Sequence, residues 1–301
     1  MTSTPVEIDR SLGFTLPERH ARGRAVRLGP LVDGIASAHA YPPAIEQLLA
    51  ESLALTALLG ALLKDNQGQM TLQAQTKGGV VSLLVCDYER GTLRGYAQFD
   101  EDKLEGLPAE PTLPELFGEG YLAITFDQAV TGERYQGIVP LEGDSIAAAA
   151  ENYFAQSEQI PSLLRIAVRD DGVGLVVGGL LLQHLPEGEE GRDRLHTRLD
   201  HPEWEHVATL GRTISVDELV DRDLDLETIL WRLFNEEEVR VLNSVELRRG
   251  CRCDERHIRS VLLRFPQEER QEMADEAGLI TVDCAFCSSH YEFRLGELAD
   301  S

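Results

Sequence analysis

Four of the five cysteines constrain this chain more than any other feature. Cys251-Arg252-Cys253 is followed by 30 intervening residues and then by Cys284-Ala285-Phe286-Cys287. Two close pairs separated by a helix-sized insert can bring four sulfurs to one tetrahedral centre. Zinc prefers that geometry, with Zn–S near about 2.3 Å. Four protein ligands close the shell, so such a site is structural or redox-active rather than hydrolytic. The C-x-x-C half is common in zinc knuckles, whereas the C-x-C half sets the pattern apart from an ordinary zinc ribbon. Cys251, Cys253, Cys284 and Cys287 are therefore expected to hold one Zn2+. The opposing reading, four buried and independent cysteines, fits poorly in a chain whose only other cysteine is Cys86.

The surrounding unit, residues 246–301, is small, and a core of that size seldom suffices without a staple. Metal binding free energy is folding free energy in such a unit. An oxidant reaching one thiolate gives a sulfenic acid, which the neighbouring cysteine can resolve to a disulfide. A C-x-C disulfide closes a very small ring and should be readily reduced again. The arrangement can thus act as a reversible fold switch. Arg248, Arg249, Arg252, Arg256, Arg259 and Arg264 crowd the first pair. They are expected to favour the thiolate form and offset the charge of four thiolates on one metal ion. A solvated basic helix face is the plainer reading of the same residues. His257 and His290 lie near the cysteines but are not needed as ligands. Cys86, in the apolar run 80–88, reads as a buried, inert thiol, with Asp87 beside it at a strand end.

At 301 residues the chain is long for one core, so two units and a connector are expected. Residues 43–64 carry apolar side chains at helical spacing, broken by Asp65-Asn66-Gln67-Gly68. Residues 70–76, 80–88 and 92–99 read as strands of an antiparallel meander, and 121–126 and 135–141 as two more. Pro108, Pro111 and Pro114 mark a loop. Asp144 can cap a helix through Ala147 to about Gln156. Residues 163–168 and 175–182 form a closing hairpin. Residues 1–186 are thus expected to be an α+β domain of antiparallel sheet and packed helices.

Residues 187–245 carry 16 acidic and 7 basic side chains, a net of -9. Ser215 and Glu218 fit a capping box, and residues 226–234 place Leu226, Ile229, Leu230, Leu233 and Phe234 on one side of a helix. Short helices depend on docking, so this helical linker is either conditionally ordered or permanently packed. Residues 246–301 complete the chain as the zinc unit.

Acidic residues outnumber basic ones by 52 to 28, giving a net charge of -24, which disfavours nucleic acid and anionic membranes as partners. No apolar run is long enough to span a bilayer, and the first residues do not read as a secretory signal, so a cytoplasmic location is expected. No phosphate-cradling loop, G-x-S-x-G or H-E-x-x-H is present, so an enzyme is not expected. A zinc-ribbon nucleic-acid binder is the alternative function, since the arginine cluster could contact phosphates. An enzyme with a structural zinc tail is a third reading.

The chain resembles the heat shock protein 33 family of redox-regulated chaperones. The resemblance rests on the two cysteine pairs and on Val282-Asp283 before the second pair, with Tyr291 and Phe293 after it. It extends to Leu93-Arg94-Gly95-Tyr96-Ala97, Tyr153-Phe154 with Ser157-Glu158-Gln159-Ile160-Pro161, Gly178-Gly179-Leu180-Leu181-Leu182-Gln183, and Leu230-Trp231-Arg232-Leu233-Phe234 with Glu236-Glu237-Glu238-Val239. It spans about residues 34–293 and is less clear over the first 20 or so. It implies an inactive, zinc-bound reduced form. Oxidation would pair Cys251 with Cys253 and Cys284 with Cys287. Zinc release, linker unfolding and homodimerisation would follow, exposing a surface that holds unfolding client proteins without ATP. The first residues, to about Gly23, have no role under this resemblance and read as a flexible or strand-exchanging arm. Arg19, Arg22, Arg24 and Arg27 are likewise unassigned.

Overall fold

The computed structural model describes residues 6–130, 132–185 and 201–298. The expected boundary at 186/187 and the acidic residues that follow it, 187–200, lie outside the described residues.

The fold is mixed α+β. Strands β1 (Arg10–Leu16) and β2 (Ala21–Leu28) lead into helices α1 (Pro30–Ala36) and α2 (Pro43–Gly60). Strands β3 (Gln69–Thr76), β4 (Val81–Glu89) and β5 (Thr92–Phe99) form the expected meander. The proline-marked stretch is not all loop: α3 (Glu101–Leu104) precedes it, and its last proline falls in α4 (Leu113–Phe117). Pro114 falls in the first turn of α4, where a missing N–H costs nothing, and Glu115 accepts from the Thr112 N–H at 2.7 Å. Strands β6 (Gly120–Gln128) and β7 (Glu133–Pro140) precede α5 (Ile146–Tyr153). The cap of α5 is Ser145 rather than Asp144; its hydroxyl accepts from the Ala148 N–H at 3.2 Å. Strands β8 (Ser162–Asp170) and β9 (Leu175–His184) make the expected hairpin.

Among the described residues, β10 (Arg240–Glu246) completes a five-stranded sheet in the order β10-β1-β2-β9-β8. A two-residue strand, β11 (Arg248–Arg249), adds to a second sheet in the order β11-β5-β4-β3-β6-β7. Helix α2 lies between the sheets, and their facing side chains form one core with it. Every residue of β9 is buried, as alternation over two covered faces requires. Val177 and Leu181 join the inter-sheet core, while Val176, Leu180 and Leu182 face outward under the linker.

From Arg10 on, the amino-terminal residues are therefore not a free arm. Leu12, Phe14 and Leu16 are at most 1% exposed, on a strand with neighbours on both sides. Their alternation is that of a core strand. The arginines that follow β1, in the next turn and on β2, each have a structural partner. Arg22 donates to the Gln183 side chain at 2.8 Å and Arg24 to the Ala61 carbonyl at 3.0 Å. Arg19 pairs with Glu203 at 2.6 Å and Glu237 at 2.8 Å.

The linker is docked. Helices α6 (Pro202–Arg212), α7 (Val216–Val220) and α8 (Leu226–Phe234) cover the outer face of the first sheet. Ser215 and Glu218 form the expected capping box. Leu226, Ile229, Leu230 and Phe234 are buried, Leu233 packs at the edge, and Phe234 meets the Phe14 ring at 5.8 Å. The linker is not helical to its end, because β10 pairs with β1. Arg27, 1% exposed, donates to the carbonyls of Glu218, Leu219 and Leu224. Burial draws its pKa down to about 10, against the pull of Asp221 and Asp225, so it stays charged at neutral pH. It thus supplies a cation to the carbonyl end of α7.

Gly178 marks how closely the linker approaches. A Cβ there would lie 1.9 Å from the Leu219 carbonyl oxygen. Gly178→Ala should therefore cost about 1–3 kcal/mol and loosen α7. A lower melting temperature and faster proteolysis within residues 201–239 are the expected outcomes; unchanged values would contradict this packing.

Candidate metal centre

The remaining elements are α9 (Glu255–Leu262), α10 (Gln267–Met273), β12 (Leu279–Asp283) and β13 (His290–Arg294). Asp254 caps α9, accepting from the His257 N–H at 2.7 Å, and so ends the Cys251-Arg252-Cys253 stretch. The second cysteine pair sits in the turn of the β12–β13 hairpin. The Cys284 N–H donates to the Ser289 carbonyl at 2.9 Å, and the Ser288 N–H to the Cys284 carbonyl at 2.8 Å. Ile258, Leu262, Ile280, Phe293 and Leu298 form the buried core of this unit.

The structure brings the four expected sulfurs together. All lie within 4.8 Å of one another, with Cys251 and Cys284 3.6 Å apart and Cys253 and Cys287 3.3 Å apart. The edge of a tetrahedral zinc–thiolate site is about 3.8 Å, so the cluster fits a metal ion with only small adjustments. Both of these approaches run across the two motifs rather than within them. Cys251 is exposed and the other three are half-buried, within reach of small solutes.

The thiols are electrostatically unequal. Burial, then the neighbouring sulfurs, push Cys253 up to about 12, against a 3.4 Å hydrogen bond donated by the Tyr291 hydroxyl. Burial likewise raises Cys284. Burial also works against ionisation of Cys287, but hydrogen bonding with Ser289, whose hydroxyl is 3.2 Å away, and with Cys253 and Cys251 outweighs it and brings Cys287 down to about 6. A cluster this tight concentrates its first negative charge on one sulfur.

The arginines do something other than expected. Arg248 donates to the Thr92 hydroxyl at 3.3 Å, Arg249 to the Gly34 carbonyl, and Arg252 to Gln69 at 2.8 Å while pairing with Glu89 at 2.9 Å. Arg259 donates to the Glu297 carbonyl at 3.1 Å. The first three tie the unit to the amino-terminal residues. His257 and His290 stand outside the cluster; His290 hydrogen-bonds Asp283 at 2.8 Å, and that carboxylate, then Glu292, raises its pKa. Cys86 is fully buried, and burial, then the Asp87 charge, push its thiol far up.

Asp87 is more than a strand-end residue. It is 4% exposed, pairs with Arg94 at 2.6 Å and accepts from the Thr71 hydroxyl at 2.7 Å. The Arg94 guanidinium lies 3.9 Å over the Phe286 ring, and Tyr96 meets that ring edge-on at 4.8 Å. Arg94 and Tyr96 stand two apart on β5 and so share a face. That spacing was the available signal for a common partner.

The family model described as Hsp33 protein matches residues 9–294. The chain is 40% identical over 287 residues to the 33 kDa chaperonin of Caulobacter vibrioides, covering 93% of this chain and 92% of that one. It is 36% identical over 279 residues to the 33 kDa chaperonin of Yersinia pestis, covering 92% and 89%. Among solved structures it is similar to that of a 33 kDa chaperonin, a heat shock protein 33 homologue, from Thermotoga maritima. The TM-score is 0.77 at 23% identity, over 96% of each chain.

The geometry predicts separate outcomes for two cysteines. Cys284→Ser should weaken zinc binding at least about tenfold and open residues 246–298 to protease. Cys86→Ser should leave zinc content unchanged. Full zinc affinity in the first, or lost zinc in the second, would contradict the site.

Proposed function

The chain belongs to the Hsp33 chaperone family, and on that premise we propose that it is a redox-regulated, ATP-independent holdase switched by zinc at Cys251, Cys253, Cys284 and Cys287. One observation carries the reading: four sulfurs within 4.8 Å of one another staple a unit whose buried core has five residues. Bound zinc supplies a tetrahedral crosslink among four thiolates. The proposed division is a chaperone core at 1–186, a linker at 187–245 and a switch unit at 246–301.

The chemistry follows from the thiols. A thiolate attacks one oxygen of hydrogen peroxide, the O–O bond breaks, and hydroxide leaves. The resulting sulfenic acid is attacked by the neighbouring thiol; the S–S bond forms and the hydroxyl departs as water. Two electrons pass from each sulfur pair to one peroxide. By family analogy the pairs are Cys251 with Cys253 and Cys284 with Cys287. Sulfurs joined this way no longer serve as thiolate ligands, so the unit loses its staple.

Loss of order in this unit would remove the anchorage of β11 and β10 and release α6, α7 and α8. The outer face of the first sheet, with Leu12, Phe14, Val176, Leu180 and Leu182, would then open. Apolar surface of this kind fits unfolding client proteins, and it also fits a second copy, which supports dimerisation on oxidation. The reading takes the protein to act by binding rather than catalysis, in the cytoplasm. The nucleic-acid alternative is weakened by the net charge of -24 and by the engagement of Arg248, Arg249 and Arg252 with protein groups.

Zinc and free thiols, measured before and after peroxide alongside suppression of a model client's aggregation, test the reading. Loss of one zinc and four thiols with gain of suppression is the expected outcome. Retained zinc, or release without suppression, would refute the switch.

A further inference from the structure

We propose that Arg94 is a positioning residue for the cysteine switch: its guanidinium, aimed by Asp87, clamps Phe286 and so sets how fast the turn bearing Cys284 and Cys287 can be oxidised. The inference rests on the redox reading above.

The clamp is built from the sheet outward. Nε and a terminal nitrogen of Arg94 donate to one Asp87 oxygen at 2.8 and 2.6 Å, and Thr71 donates to the other oxygen at 2.7 Å. This fixes the plane of the guanidinium, which covers Phe286 at 3.9 Å while Tyr96 closes the ring's edge. A planar cation stacked on an aromatic face is a specific contact that an ammonium does not reproduce. The far side of the turn is held too: the Ser288 hydroxyl donates to the Ala38 carbonyl at 2.7 Å. Cys287 thus sits between two anchored neighbours.

Joining Cys284 to Cys287 brings their sulfurs to about 2.05 Å. Phe286 lies in the turn beside Cys287, so the held ring opposes the backbone movement of the turn that accompanies closure. The redox step is the one above: two thiols give two electrons to one hydrogen peroxide, an S–S bond replaces the O–O bond, and two waters result. Arg94 contributes no ligand and takes no electron. It resists the change of shape.

The test uses reduced, zinc-loaded, full-length protein as wild type, Arg94→Lys, Phe286→Leu and the double variant. Arg94→Lys keeps a cation for Asp87, so the sheet should fold and melt normally. Amide hydrogen exchange at residues 285–288, without oxidant, should be faster in each single variant. Peroxide-driven zinc release, followed with a chromogenic chelator, should be about three- to tenfold faster. The double variant should release no faster than Phe286→Leu, since both changes remove one contact. Unchanged exchange overturns the clamp, and raised exchange with wild-type release overturns its control of oxidation. Additive acceleration in the double variant also overturns it. Zinc retained by wild type under peroxide overturns the redox reading instead, and exchange at 285–288 then decides the clamp alone.

Discussion

Helices of 11, 5 and 9 residues do not hold themselves in water, and this constraint governs the linker. Their order is lent by the outer face of the first sheet. Phe14 and Phe234 meet there, and Leu180 and Leu182 of β9 share that apolar cluster with the linker helices. Two arginines complete the dependence. Arg19 reaches Glu203 and Glu237 near the two ends of the helical stretch, and buried Arg27 binds three linker carbonyls. Undocking would break the three bonds from Arg27 and uncover an apolar face together, so the linker leaves as a whole or stays.

The cysteine unit depends on its surroundings in a similar way. Its buried core is Ile258, Leu262, Ile280, Phe293 and Leu298, too little to fold alone. What joins it to the linker is a short stretch of chain: β10 borders the first sheet through β1, and β11 borders the second through β5. The two sheets and the cysteine unit meet at residues 240–249. Strain or disorder arising at the sulfurs therefore has a covalent and hydrogen-bonded route to the linker. The Arg94–Phe286 contact is a second attachment of the same unit to the second sheet.

Much of this was legible from sequence, and the failures share a physical cause. The cysteine spacing identified the cluster because its sulfurs come from local pairs. Ser215 with Glu218 and the stripe from Leu226 to Phe234 were readable because caps and helical periods are local too. The strand β1 was missed because its signal is three residues, Leu12, Phe14 and Leu16, set among polar neighbours. The arginines were misjudged because their partners are distant in sequence. Arg27 binds carbonyls near residue 220, and Arg252 binds Glu89. Sequence proximity is a poor guide to where a long cationic side chain finds its partner.

Amide hydrogen exchange across α6, α7 and α8, compared between reduced zinc-bound protein and peroxide-oxidised protein, tests the central claim most directly. Protection over residues 202–234 should collapse on oxidation while β3, β4 and β6 keep theirs. A linker that keeps its protection after all four thiols are oxidised would contradict the account.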